Sequence, residues 1–455
     1  MAELTVTEPA REIYETIADA PIISPHGHTD PAWFARNTSF SNPAELIITP
    51  DHYVFRMLYS QGIPLEKLGV GSDADPREIW ALFTAHYHLF LGTPSRLWLD
   101  HMFEKGFGID QTLSPATAMD IYEQIDAKLA TADYRPRALF ERFNLEILAT
   151  TDGATDTLEH HASMQDDWPA KVIPTFRPDT VLDPADPRFL DEIRKLALIT
   201  NESLDTYGSF LNALRKRRAT FKSLGATATD HAIEILHTNW LDQPEIEALY
   251  DAVRRGTNID INQAAKFYGH MLIEMARMSC EDGLVMQLHA GSKRNTNASI
   301  MTHFGRDKGA DIPVATGWVR GLEDLLNQCG NHPNFTLIAF TLDETTYARE
   351  LAPMAGHWPC LKIGPPWWFH DSPRGIARYL DQVVETAGYA NLAGFNDDTR
   401  AFMSIPARHD LWRRAVSNHL ATQVKRGYFN NADATRLAQM LAVDLAREAY
   451  KLGTG

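Results

Sequence analysis

Two histidines flank one glycine, His26-Gly27-His28, directly after the apolar run Ala20–Ser24. In an extended chain residues i and i+2 point to the same side, so both imidazoles can reach one ion. In a chain of 18 histidines that spacing is weak evidence by itself. A carboxylate source stands near the other end, Asp397-Asp398-Thr399-Arg400, after the apolar segment Asn391–Phe395. A carboxylate beside the histidines completes a His/His/Asp set and leaves positions for water or substrate oxygens. An Asp-Asp pair at a strand end is ordinarily a solvated loop. Here Gly394-Phe395 precedes it and Phe402-Met403 follows, which argues for a less open setting. Arg400 can pair with the carboxylate or clamp an anion.

Further groups follow other apolar runs. His231 and His289 come after two middle runs, where each is either a site residue or a structural histidine bonded to a carbonyl. Arg177 and Arg294 are the cationic candidates. A lone arginine at a rim is usually a salt bridge. Several converging in a protein of net charge -16 suit carboxylate recognition better. Trp367-Trp368 after Gly364-Pro365-Pro366 either packs or walls a sugar pocket, and Asp51 reads as the start of a helix that carries Tyr53. Spacing gives Tyr53 no chemical role. Arg215-Lys216-Arg217-Arg218 reads as a charged helix face, not a nucleic-acid site.

These groups need a scaffold that brings residue 26 to residue 398. Eight apolar or β-branched runs end in polar residues: Ala20–Ser24, Ile147–Thr151, Val172–Phe176, Gly225–Thr229, Leu284–Leu288, Phe335–Phe340, Leu361–Gly364 and Asn391–Phe395. Helical patterns separate most of them, as in Asp191–Leu198 and Asn262–Arg277, the latter with Ala264, Phe267, Tyr268 and Met271 on one stripe. Strands alternating with helices pair in parallel. Eight of them predict an α/β fold, a (β/α)8 TIM-type barrel, with its site at the C-terminal strand ends. An open doubly wound sheet is the runner-up, but it would not join the first and last strands. Between the first two strands the chain reads as helical, for example over Pro76–His88 and Ala116–Asp126. The expected organisation is residues 1–29 as N-terminal helix and first strand, 30–144 as a large helical insertion capping or flanking the mouth, and 145–455 as the remaining barrel and C-terminal helices.

The composition, 44% hydrophobic and 22% charged, is that of a globular protein. Cys280, Cys329 and Cys360 have no metal-like spacing and suit a reducing compartment. No signal peptide or apolar span is legible, so the expectation is a cytoplasmic protein with neither membrane nor nucleic acid as partner.

Taken together, the motifs resemble uronate isomerases, a divergent branch of the amidohydrolase superfamily. The matching stretches are Ser24–His28, Asp51–Arg56, Thr150–Asp152 with Asp156–His160, Pro174–Asp179, Gln287–Gly291 with Arg294-Asn295, Trp367–Asp371 and Gly394–Phe402. The resemblance implies a divalent metal, usually zinc with manganese as the alternative, on His26, His28 and Asp398. Asp398 matches rather than Asp397 because it stands two before the arginine. It implies proton handling by Tyr53, and substrate contacts from Arg177, His289 and Arg400; Asp398 is the further residue expected to handle a proton. It also implies aldose–ketose exchange of a small anionic sugar acid, D-glucuronate to D-fructuronate or D-galacturonate to D-tagaturonate, and by family habit a homo-oligomer. Arg294, His231 and Trp367 complete the expected substrate contacts. Tyr59 stands where family sequences often have arginine, and Phe55 where tryptophan is common; both bear on substrate preference. The competing reading is a mononuclear metallohydrolase of a sugar-acid lactone or amide. Many superfamily hydrolases use a bridging lysine at the fourth strand end, where this chain has Thr229-Asp230-His231.

Overall fold

The computed structural model describes residues 8–169, 171–257 and 259–453. Its barrel strands are β1 (Ile22–Ser24), β2 (Leu145–Ala149, continued by Asp152–Gly153), β3 (Val172–Ile173, continued by Phe176–Arg177), β4 (Ala228–Ile233), β5 (Val285–Ala290), β6 (Leu337–Thr341) and β7 (Leu361–Ile363). Each pairs in parallel with the next, and a parallel bridge from Ile363 to Leu392 adds the eighth position. The His28 amide donates to the Thr399 carbonyl at 3.0 Å, so the last position reaches the first. This is the TIM-type architecture. β5 and β6 are buried along their whole length, as parallel strands covered on both faces must be.

Two strands differ from the sequence expectation. β4 begins later and runs to Ile233, so Asp230 and His231 lie inside it. β5 likewise contains His289. Polar residues in a buried strand need partners, and Asp230 and His289 bond each other across the β4–β5 ladder. The eighth segment, expected over Asn391–Phe395, makes only the Leu392 bridge.

Between β1 and β2 the chain forms helices, among them Pro31–Arg36, Pro43–Ile47, His52–Tyr59, Pro76–Ala85, Pro94–His101 and Ala118–Leu129. Their starts are written locally. Asp30, Asn42, Asp75 and Thr93 cap with their side chains, and proline follows each at the first helical turn. These helices share a core that includes Phe34, Phe55, Trp80, Phe83 and Ile121, and it extends onto Leu145, Leu148 and Val172 of β2 and β3. A second core joins the barrel to its outer helices. The basic run 215–218 is only half a solvated face. Arg215 pairs with Glu281 and Lys216 with Glu202. Arg217 and Arg218 are buried, the first on the carbonyls of Ala154 and Asp156 and the second on Asp282 and Ser279.

Candidate active site

β1 ends at Ser24, and the chain beyond it carries His26 inward against the segment after Leu392. Asp398 Oδ1 lies 3.4 Å from His26 Nε2 and 3.1 Å from His28 Nε2. That oxygen is buried yet makes no hydrogen bond. Three donor atoms within 4.8 Å of one another, two imidazole nitrogens and a carboxylate oxygen, fit a divalent cation better than a hydrogen-bonded cluster. Burial opposes ionisation of Asp398, but the two imidazoles outweigh it and hold the carboxyl well below its usual range. Asp398 itself sits at φ +40°, a conformation that costs a non-glycine residue energy and concentrates at functional sites.

Beside these groups opens a pocket of about 490 Å³, a volume that runs out into open solvent. His28, Asp398, Arg400, Tyr53, Arg294 and Trp367 line it. The sequence picked out all six. Tyr53 arrives on the insertion helix His52–Tyr59, where Asp51 caps by accepting from the Tyr53 amide. His26 and His289 lie deeper, with rings stacked at 4.7 Å, and His289 stacks on Phe340 at 4.2 Å. His289 Nδ1 bonds Asp230 Oδ1 at 2.7 Å, while its buried Nε2 has no partner. Asp230 in turn pairs with Arg177 at 3.2 Å, and Arg177 also holds Asp179 at 2.9 Å. Arg177, partly exposed, thus steadies Asp230 and is not among the residues that line this pocket.

His231 is not brought to the pocket. It follows Asp230 in β4, so its side chain takes the opposite face. There it bonds Thr229 Oγ1 at 3.0 Å, and burial pushes its pKa down to about 3. The expected substrate contact at His231 gives way to the structural alternative because the strand continues through it.

The pocket also contains groups that spacing did not single out. Asp307 and Asp311, from the loop after β5, hold the two pocket arginines: Arg400 to Asp307 at 3.0 Å and Arg294 to Asp311 at 2.9 Å. The positive charge expected in this acidic protein is thus present but matched. Gly305 and Gly309, both with positive φ, flank Asp307 and were the available signal for a shaped loop. His52 accepts from Trp368 Nε1 at 3.1 Å. Burial, with Arg400 and Arg408 nearby, lowers its pKa to about 3, so it is neutral. The Arg294 guanidinium lies 5.2 Å from the Trp368 ring, a cation–π distance.

The glucuronate isomerase family model matches residues 3–449. A uronate isomerase of Rhizorhabdus wittichii is 52% identical over 444 residues, 97% of this chain and 95% of the relative. Among solved structures, a glucuronate isomerase from Caulobacter crescentus superposes with a TM-score of 0.97 at 48% identity, over 100% of this chain and 96% of that one. A uronate isomerase from Thermotoga maritima gives 0.94 at 26% identity, over 99% and 100%.

Proposed function

The chain belongs to the glucuronate isomerase family, an aldose–ketose isomerase family, and from this we propose how its pocket converts a hexuronate aldehyde into the 2-keto isomer. The observation that carries the reading is the convergence of His26, His28 and Asp398 at the edge of a cavity that Tyr53, Arg400 and Arg294 also line.

The reaction removes a proton from C2, beside the aldehyde, and returns one to C1. Asp398, held in its ionised form by the two imidazoles, takes the C2 proton. Its Oδ1 faces the imidazoles, and we assign the other carboxylate oxygen to proton transfer. Tyr53 moves a proton between the C1 and C2 oxygens. Such general acid–base groups each contribute roughly 10²–10⁴-fold. Arg400 donates to the oxygens where negative charge develops, while neutral His289, whose Nδ1 proton goes to the ionised Asp230, offers Nε2 as an acceptor to a substrate hydroxyl. For Arg400 this means exchanging Asp307 for substrate. Arg294 takes the substrate carboxylate in a bidentate fork. Arg177 acts indirectly, through Asp230, on the orientation of His289. A divalent ion held by His26, His28 and Asp398, zinc or manganese, would supply Lewis acidity toward the substrate oxygens.

The helical segment 30–144 supplies Tyr53 and His52 to the mouth and so completes a site that the barrel, residues 1–29 and 145–455, cannot form alone. No helix among the described residues is long and apolar enough to cross a membrane. The three cysteines are free, which supports a cytoplasmic setting.

The test is to incubate metal-loaded protein with D-glucuronate and with D-galacturonate in D₂O and follow the sugars by NMR. Ketose formation with deuterium entering the sugar is expected for at least one acid. Absence of turnover and of exchange with both defeats the reading, and hydrolysis of a uronic lactone by the same preparation would favour the hydrolase instead.

A further inference from the structure

We infer that Arg408 is a positioning residue for Tyr53, tying the insertion that carries the phenol to the loop that carries Asp398. The inference rests on the reading that Tyr53 moves a proton. Arg408 lies in the first turn of helix Ile405–Lys425 and is buried, yet neither it nor its partner Asp371 lines the pocket. Its Nη1 donates to Asp371 Oδ2 at 2.6 Å and to the Asp397 carbonyl at 3.4 Å. Nε donates to Ser404 Oγ at 3.1 Å. The guanidinium carbon lies over two rings of the insertion, 3.7 Å from the Trp98 centroid and 5.0 Å from that of Tyr53. Trp98 meets Tyr53 edge-on at 5.4 Å, which braces the phenol from a second side.

One side chain thus touches three separate pieces of chain. The insertion gives Tyr53 and Trp98, the loop after β7 gives Asp371, and the segment after the Leu392 bridge gives the carbonyl next to Asp398. Only a permanently charged group with several donors in a fixed fork can lie over aromatic rings and bond several acceptors at once. Lysine would keep the charge and lose that geometry. The arrangement also accounts for Asp371, the last residue of the Trp367–Asp371 motif, which holds the guanidinium in the orientation that fits under Tyr53.

Full-length, metal-loaded Arg408→Lys, Tyr53→Phe and the double variant test this. We expect Arg408→Lys to lower kcat about 10- to 100-fold, part of what an acid–base group contributes, with metal content unchanged and KM moved far less. In the Tyr53→Phe background the same change should have almost no further effect, because coupled residues do not add. Asp371→Asn should repeat the pattern more weakly and serves if Arg408→Lys fails to fold. Independent, multiplying effects in the double variant, or parallel changes in kcat, KM and metal content, would overturn the inference. If Tyr53→Phe is fully active, the proton role of Tyr53 fails, and the inference falls with it.

Discussion

At the scale of single residues, the site is built from polar groups that satisfy one another in sequence. Arg177 holds Asp230, Asp230 holds His289, and His289 stacks on the metal-side histidine His26. Asp230 is 1% exposed, so removing its cation leaves a carboxylate with little access to water. Arg177→Met should therefore lower the unfolding free energy by about 3–5 kcal/mol, the usual cost of stranding a buried charge, read from denaturant midpoints. A loss under about 1 kcal/mol, the typical value for a surface pair, would show that the pair is not structural. The histidine pair and the Asp397-Asp398 pair were legible in the sequence because strand periodicity and an unusual flanking composition act locally, and the family resemblance then chose Asp398 of the two. The Arg177–Asp230–His289 chain was not. It depends on which residues lie side by side in neighbouring strands, and one sequence does not state that register. His231 shows the same limit from the other side, since a strand end misplaced by a few residues changes which face each neighbour takes.

At the scale of elements, strands place the chemistry and one loop and one helix enclose it. The position directly after β7 contributes through a glycine. A Cβ on Gly364 would lie 2.5 Å from ring atoms of Phe340, the residue that stacks on His289. Gly364→Ala should cost about 1–3 kcal/mol, as overpacking does, and should also lower kcat by tilting His289. A shift in melting temperature without change in kcat would mean that the Phe340 stack does not position His289. The order of strands and helices is readable from the chain, as is the helical nature of the insertion, because proline and capping residues mark its starts. The loop 294–311, with Asp307 and Asp311, is not legible as part of the pocket. Its charges resemble any solvated loop until Arg400 and Arg294 are placed opposite them.

At the scale of the whole molecule, the insertion and the barrel share one continuous wall of apolar contacts across β2 and β3. Asp152, at the end of β2, is buried there; its pKa is pushed up to about 7 by burial, against a hydrogen bond from Thr150. A carboxyl with a raised folded-state pKa favours folding fully below its unfolded value of about 4 and loses that contribution as pH rises through the folded one. Relative to Asp152→Asn, the wild type should therefore lose stability steadily between about pH 4 and the folded-state value near 7, and run parallel above. Parallel curves across that whole window would show that Asp152 titrates normally. The barrel as a whole was legible because its ends had to meet for the chemistry to exist, and that same closure is the central claim. Its most direct test is Asp398→Asn, with bound metal and ketose formation from uronate measured on the same purified, folded sample. Loss of both metal and turnover is predicted. A variant that keeps normal metal content and normal turnover would contradict the account at its core.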